Sequence, residues 1–148
     1  MSLTLPFVQL EESSEYLRSL PLASRRLNGL VYTPRHLVEF ILDRAEFPDG
    51  EDSAVLDPAC GAGIFLQVAA ERLARAFERR GLSLRRSPDR QVFLAAVEKT
   101  LYGVDLDRKA VDLAKREIRA TVSQICGHAP PAGFFEKMLA QSQSSGTP

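Results

Sequence analysis

The stretch Ser53-Ala54-Val55-Leu56-Asp57-Pro58-Ala59-Cys60-Gly61-Ala62-Gly63 decides how this chain folds. Its first five residues are a short, largely apolar run closed by a carboxylate, the pattern of a buried parallel strand. Two glycines one residue apart follow. An apolar-periodic segment then continues to Arg80, with Phe65, Ala69, Leu73, Ala76 and Phe77 on one face and Gly81 as its stop. Strand, acid, glycine turn and helix together make a ligand loop. The glycines admit positive φ and let a bound molecule approach the backbone. Free amides at the start of the helix favour an anionic group such as a carboxylate. Asp57 adds a negative acceptor suited to an ammonium or hydroxyl group. The dinucleotide pattern Gly-x-Gly-x-x-Gly is not met, because Leu66 stands where its third glycine belongs. An acid four residues ahead of Gly61 also repels a pyrophosphate. A zwitterionic, positively charged cofactor therefore suits the loop better than NAD.

Downstream, Leu101-Tyr102-Gly103-Val104-Asp105 reads as a second strand. Asp107 caps a helix with Val111, Ala114, Ile118 and Val122 facing inward. In doubly wound folds an acid at the tip of the second strand accepts hydrogen bonds from ribose hydroxyls, which makes Asp105 a binding candidate and places Leu106 against an adenine face. Asp105 follows Gly63 by 42 positions, against roughly 20 in the dinucleotide pattern. The long first helix, a basic loop at Ser83–Pro88 and a helix over Asp89–Thr100 (Val92, Phe93, Ala96 and Val97 inward) account for the difference.

Upstream, Asn28-Gly29 signals a turn and Leu30-Val31-Tyr32 is extended. Thr33 is placed as an N-cap with Pro34 at the first helical position, and the helix runs to Ala45 on a buried stripe of Leu37, Phe40 and Ile41. A short helix is expected over Leu5–Leu20. Beyond Cys126 the pattern degrades: Gly127–Gly133 holds Pro130-Pro131, Phe134–Gln141 reads as a short helical stretch, and Ser142–Pro148 as a disordered tail. The expected division is an N-terminal helical segment over 1–27, a ligand-binding α/β segment over 28–126, and a linker with its short helix and tail over 127–148. About two parallel strands with surrounding helices are only the first part of a doubly wound sheet, which has about five or more strands.

Composition bounds the function. The chain has 148 residues, one ordinary domain, with 19 basic and 19 acidic side chains. The balance hides an asymmetry: residues 1–60 hold five basic against ten acidic side chains, and residues 61–148 hold fourteen against nine. Much of the excess lies in Arg72, Arg75, Arg79, Arg80, Arg85, Arg86 and Arg90, a stretch that suits either phosphate contact or a solvated helix face. No apolar run approaches the ~18 residues a membrane span needs, and residues 1–8 lack the basic region of a signal peptide. Cys60 and Cys126 form no CxxC pair, which suits a reducing cytoplasm. His36 and His128 have no ligand-like neighbours, so no metal is expected, and the loop asks of Cys60 only that it be small.

Three blocks now stand in order: Asn28-Gly29-Leu30-Val31-Tyr32-Thr33-Pro34, Asp57 through Leu66, and Leu101 through Asp107. Together they resemble the N6-adenine DNA methyltransferases of restriction–modification systems, especially the type I and type IIG modification subunits, over roughly Asn28 to Ala120. The resemblance implies a Rossmann-like methyltransferase fold with S-adenosylmethionine as cofactor. It implies that Tyr32, Thr33 and Pro34 lie against the methionine end of that cofactor. It implies that Asp57, Pro58, Ala59, Gly61 and Gly63 cradle its amino and carboxylate groups, and that Asp105 and Leu106 take the ribose and the adenine. DNA is the implied partner, met through the complete enzyme.

The family's catalytic block is an Asn, Asp or Ser followed by Pro-Pro and an aromatic residue, whose polar groups hold the target amine while the ring stacks on a flipped base. Here the only Pro-Pro pair, Pro130-Pro131, lies between Ala129 and Ala132, which offer neither acceptor nor ring. No catalytic residue is therefore assigned. The third strand with its acid, the later strands and any target-recognition domain are also missing from the sequence pattern. A piece of a longer protein, half of a split or multi-subunit enzyme, and a degenerate remnant all fit. A methyltransferase acting on protein glutamine or a small molecule, and a noncatalytic module that binds cofactor or a partner, are the alternatives in function.

Overall fold

Seven elements follow one another in the computed structural model, which describes residues 33–48 and 53–142. They are α1 (Arg35–Arg44), β1 (Val55–Asp57), α2 (Ile64–Arg79), α3 (Ser87–Thr100), β2 (Leu101–Asp105), α4 (Arg108–Cys126) and β3 (Leu139–Gln141). The expected helix over Leu5–Leu20, Tyr32 and the tail beyond Ser142 lie outside the described residues.

The strands form one parallel sheet in the order β1-β2-β3. Leu56 stands beside Tyr102 and Asp57 beside Gly103, while Gly103 also faces Leu139 and Asp105 faces Gln141. α2 and α4 pack against each other and against the strands. Ala69, Leu73 and Phe77 of α2 are buried, as are Val111, Ala114, Ile118 and Val122 of α4, as their spacing demands. Asp107 caps α4 by accepting the Lys109 amide at 2.9 Å.

Two glycines set how closely these layers approach. A Cβ on Gly103 would lie 2.6 Å from Leu66 Cδ1 and 2.7 Å from Leu139 Cδ2, so only a hydrogen fits between α2 and β3 at the middle strand. Gly63, the N-cap of α2, has φ 84°, and a Cβ there would lie 3.0 Å from Ala114 Cβ.

Several expectations need correction. The stretch Phe134–Gln141 is not helical: Gly133 takes φ 74°, the chain wraps through turns that bury Phe135 and Met138, and residues 139–141 become a third strand. Gly103 donates to the Met138 carbonyl at 2.8 Å and Ser142 to that of Asp105 at 2.8 Å, so Ser142 prolongs this pairing instead of starting a disordered tail. Among the described residues the sheet thus has three strands, not two, although the third ends in Gln141 where an acid would be expected. The Pro130 and Pro131 carbonyls accept from the Arg119 guanidinium at 2.8 and 3.0 Å, and that guanidinium also lies over the Phe135 ring.

The first helix is rotated from its expected setting. Pro34, not Thr33, is the N-cap of α1, and Val38 and Leu42 are its buried residues. Leu37, Phe40 and Ile41 are exposed. The cause is electrostatic as well as apolar. Arg35 pairs with Glu71, and Arg72 reaches both the Glu39 carbonyl and Asp43, so positions 35, 38, 39, 42 and 43 form the stripe that meets α2. In α3, which begins at Ser87 and so takes in the end of the expected basic loop, Phe93 and Val97 turn inward while Val92 is exposed. Phe93 meets Phe77 edge to face at 5.6 Å. Finally, β1 is not buried as expected: Val55 and Asp57 are half-buried and Leu56 is 62 % exposed.

Gly63→Ala is expected to cost about 2–4 kcal/mol, because the left-handed backbone and the contact with Ala114 both oppose a methyl group. Gly61→Ala, at φ 50° but with open space around its Cβ, is expected to cost only about 1–2 kcal/mol. Urea denaturation midpoints of the two variants against the parent chain check the order.

Candidate functional site

The C-terminal tips of β1 and β2 meet around one carboxylate. Asp105 Oδ2 accepts the Gly61 amide at 2.9 Å, and Asp105 Oδ1 accepts the Asp107 amide at 2.8 Å. A single side chain therefore clasps the glycine loop after β1 to the turn that starts α4. The Cys60 amide donates to the Val104 carbonyl at 2.9 Å, and the Gly63 amide to the Cys60 carbonyl at 2.7 Å, which fixes the loop between the clasp and α2. Asp57 Oδ1 accepts the Ala59 amide at 3.1 Å and closes the Asp-Pro turn. Each carboxylate offers about four lone-pair sites, so these bonds leave acceptor capacity on both acids.

Around this group the expected residues are distributed unevenly. The hydrogen bonds above pair Asp57 with Ala59 and Gly61 with Asp105, and tie Gly63 to Cys60. Pro58 lies exposed on the turn, and Leu106 is exposed beside Asp105. Thr33 is half-buried and Pro34 exposed at the start of α1, and no hydrogen bond ties either one to the loop. The two loop glycines differ in kind. Nothing lies within 4 Å of a Cβ on Gly61, so this backbone faces open space, whereas Gly63 is closed against Ala114. The open glycine can admit a ligand; the closed one holds the loop in place.

The electrostatics follow from two acids at adjacent strand tips. Burial holds the Asp57 carboxyl above its ordinary value of 3.8; the Ala59 amide works against this and the Asp105 charge adds to it. Cys60 lies beneath the same pair, and burial first, then the charges of Asp57 and Asp105, push its thiol up to about 12. A thiol so placed is no nucleophile at neutral pH. At the head of α2, Gly63 supplies no side-chain cap and the first turn holds no acid, so the helix presents uncompensated positive potential toward the loop. The site thus combines two carboxylates, an approachable backbone and a helix N-terminus, a set able to hold a molecule bearing both an ammonium and a carboxylate.

Two contributors went unnoticed in the sequence. Gln141 at the end of β3 donates through Nε2 to the Leu106 carbonyl at 3.2 Å, which positions the residue beside Asp105. Gly103 allows the strand tips to sit close beneath Cys60, since a Cβ there would lie 3.1 Å from Cys60 Cβ. Gln141 had no signal once its segment was read as helix, but a glycine inside a strand is itself a mark of close approach.

The end of the arginine-rich stretch, Arg85 and Arg90, lies elsewhere, while Arg72 and Arg75 are engaged in ion pairs with Asp43 and Glu71. A Cβ on Gly127, which follows α4, would come within 3.1 Å of Arg85 Nη1, while Arg90 donates to the Arg85 carbonyl and sits 3.5 Å from His128 Nδ1. The 19 residues of α4 put about 28 Å between these groups and the head of that helix at the clasp. The last turn of α4 holds no basic residue of its own, so Arg85 and Arg90 bring positive charge to its negative end. They also favour the Cys126 thiolate, against a stronger upward push on that thiol from burial. Among the described residues no cluster of His, Cys, Asp and Glu could hold a metal ion, and no helix is long and apolar enough to cross a membrane.

With this geometry in place, comparison with known proteins identifies the class. Residues 14–120 match the N-6 DNA Methylase family, and the chain belongs to it. It is 33% identical over 93 residues to the type I restriction enzyme MjaIX methylase subunit of Methanocaldococcus jannaschii, covering 63% of this chain and 13% of that protein. It is 33% identical over 100 residues to the adenine-specific methyltransferase PglX of Streptomyces coelicolor, covering 63% and 8%. Over 61 residues it is 39% identical to the type II methyltransferase M.BstVI of Geobacillus stearothermophilus, covering 39% and 11%. The chain spans about a tenth of the length of these relatives.

Asp57→Asn tests the electrostatic reading. Asn keeps an oxygen for the Ala59 amide and removes the charge. Because the folded chain raises the Asp57 carboxyl, protonation favours folding and ionisation opposes it. The variant is therefore expected to melt above the parent chain at pH 7. Its advantage shrinks as pH falls and vanishes below 3.8, where Asp57 is protonated in both states. Thermal melts at several pH values check this.

Proposed function

We propose that this chain is the cofactor-binding front of a methyltransferase that transfers a methyl group from S-adenosylmethionine to adenine N6 in DNA, as part of a restriction–modification system in the cytoplasm. The observation that carries the proposal is the pair Asp57 and Asp105 at neighbouring strand tips, with the open backbone of Gly61 beside the Asp105 carboxylate. On this reading the three strands are the first half of a Rossmann-like sheet, and the ligand lies across their C-terminal ends.

The residues suit S-adenosylmethionine in charge and hydrogen-bonding capacity. Its amino group suits Asp57, and its carboxylate suits the loop amides and the head of α2. Pro58, Ala59 and Gly61 line the approach, and Gly63 holds the loop's conformation. Asp105 has lone pairs left for the ribose hydroxyls, and exposed Leu106 offers an apolar surface to adenine. Tyr32, Thr33 and Pro34 stand ahead of α1 for the methionine end. When bound, the cofactor supplies an electrophilic methyl group on a sulfonium. The residues that accept the target amine's hydrogen bonds and stack on the flipped base come from the remainder of the enzyme, which also engages DNA. The isolated chain is accordingly expected to transfer no methyl group.

Titration calorimetry of the 148-residue chain tests the assignment. S-adenosylmethionine is expected to bind and NAD not. Asp105→Ala is expected to weaken binding about 10- to 100-fold, the equivalent of ~1.5–3 kcal/mol for hydrogen bonds to a charged group. Binding of NAD alone, or of neither, overturns the cofactor assignment, and an unchanged affinity removes Asp105 from the site.

A further inference from the structure

The arginines of α2 and the segment after it fall into two sets. Arg72 pairs with Asp43 of α1, and Arg75 with Glu71 within α2. Beyond them, residues 79–90 hold five arginines and a single acid, Asp89, whose Oδ2 is taken by the Ser83 amide at 2.8 Å. Among the described residues no carboxylate pairs with Arg79, Arg85, Arg86 or Arg90. Arg79, Arg85 and Arg86 are exposed and Arg90 is half-buried. Like charges gathered this way repel one another, so the excess costs stability until something outside the segment neutralises it.

The segment that carries them is firmly built. Leu84 is 2 % exposed, the Leu82 amide donates to the Phe77 carbonyl at 3.2 Å, and the Arg86 amide donates to the Ser83 carbonyl at 2.8 Å. Arg90 Nη1 donates to the Arg85 carbonyl at 3.2 Å, and the Arg85 side chain lies against Gly127 just past α4. The ends of α2 and α4 and the start of α3 thus bring these guanidinium groups together, while the heads of α2 and α4 stand at the ligand loop. About 28 Å of α4 separates the two places.

What the surface lacks narrows its partner. Residues 79–90 include no aromatic side chain to stack on an unpaired base. None of the exposed large apolar side chains falls in the segment, so it has no apolar centre of the kind that protein interfaces are built on. It offers forked cations that match phosphate oxygens, spread over two helix ends and a loop. We propose that Arg79, Arg85, Arg86 and Arg90 form a contact surface for the phosphate backbone of duplex DNA, away from the strand tips that carry the ligand loop. DNA held there is a flanking or second stretch, not the one presented to the cofactor. The inference goes beyond the function proposed above, which leaves the target base to the rest of the enzyme, and it stands without the cofactor reading.

Fluorescence anisotropy of the intact chain with a short labelled DNA duplex, without S-adenosylmethionine, tests the surface. Binding is expected, with log K falling linearly in log salt at a slope of about −3 to −4 for four neutralised phosphates. Arg79→Ala combined with Arg86→Ala is expected to weaken binding roughly tenfold or more at low salt and to flatten the slope by about 2. Both side chains are exposed, so circular dichroism of this variant should match the parent and its melting should not fall below it. Arg79→Lys with Arg86→Lys keeps both charges and should keep the slope. Arg108→Ala with Lys109→Ala removes the same charge at the head of α4 and should leave the affinity unchanged. No duplex binding overturns the proposal, as does binding that depends as much on Arg108 and Lys109, or that prefers one duplex sequence strongly over another. Polyglutamate bound as tightly as the duplex, through the same two arginines, assigns the surface to an acidic polypeptide and also overturns it. S-adenosylmethionine titration separates the two claims: duplex binding without cofactor binding keeps this surface and counts against the cofactor reading, and the reverse sinks the surface alone.

Discussion

Asp105 is the side chain on which the geometry of the site depends. Its carboxylate takes one amide from the glycine loop after β1 and one from the turn that begins α4. The loop, the strand tips and the head of α4 therefore hold their relative positions through one charged group. Hydrogen bonds to an ionised acceptor are among the stronger ones in proteins, and here they replace the ladder bonds that end with β1 and β2. The clasp leaves lone pairs free, so the side chain that builds the site is also fitted to bind at it.

That dual role has an electrostatic consequence. Holding Asp105 beside the loop places it near Asp57, and burial with this second charge makes ionised Asp57 unfavourable. A cation beside Asp57 would offset that cost. On the function proposed above, an ammonium group does so where a phosphate would add to it. Burial of Cys60 beneath the acids belongs to the same account, because a raised thiol keeps a further negative charge out of the cluster.

Most of this was legible in the sequence where local chemistry decides the outcome. The Asp57–Gly63 loop, the Asp107 cap and the inward face of α4 follow from residue type and spacing, and long-range contacts agree with them. The misreadings share a different origin. β3 has only three residues and no β-branched side chain, so its strand character comes from pairing with β2, which local sequence does not encode. The stripe of α1 was displaced because ion pairs of Arg35 and Asp43 with α2 compete with Leu37, Phe40 and Ile41 for the facing side. Leu56 looked buried because a parallel strand normally is. What made it exposed is topology: both crossover helices lie on the other face.

The exposed face and the ligand loop are consequences of the same chain path. β1 carries the glycine loop at its tip, and the one-way path from β1 through β2 to β3 lays both crossover helices among the described residues on one face. On the function proposed above, the groups that hold the cofactor, Asp57, Gly61 and Asp105, all belong to the first crossover and its flanking strands.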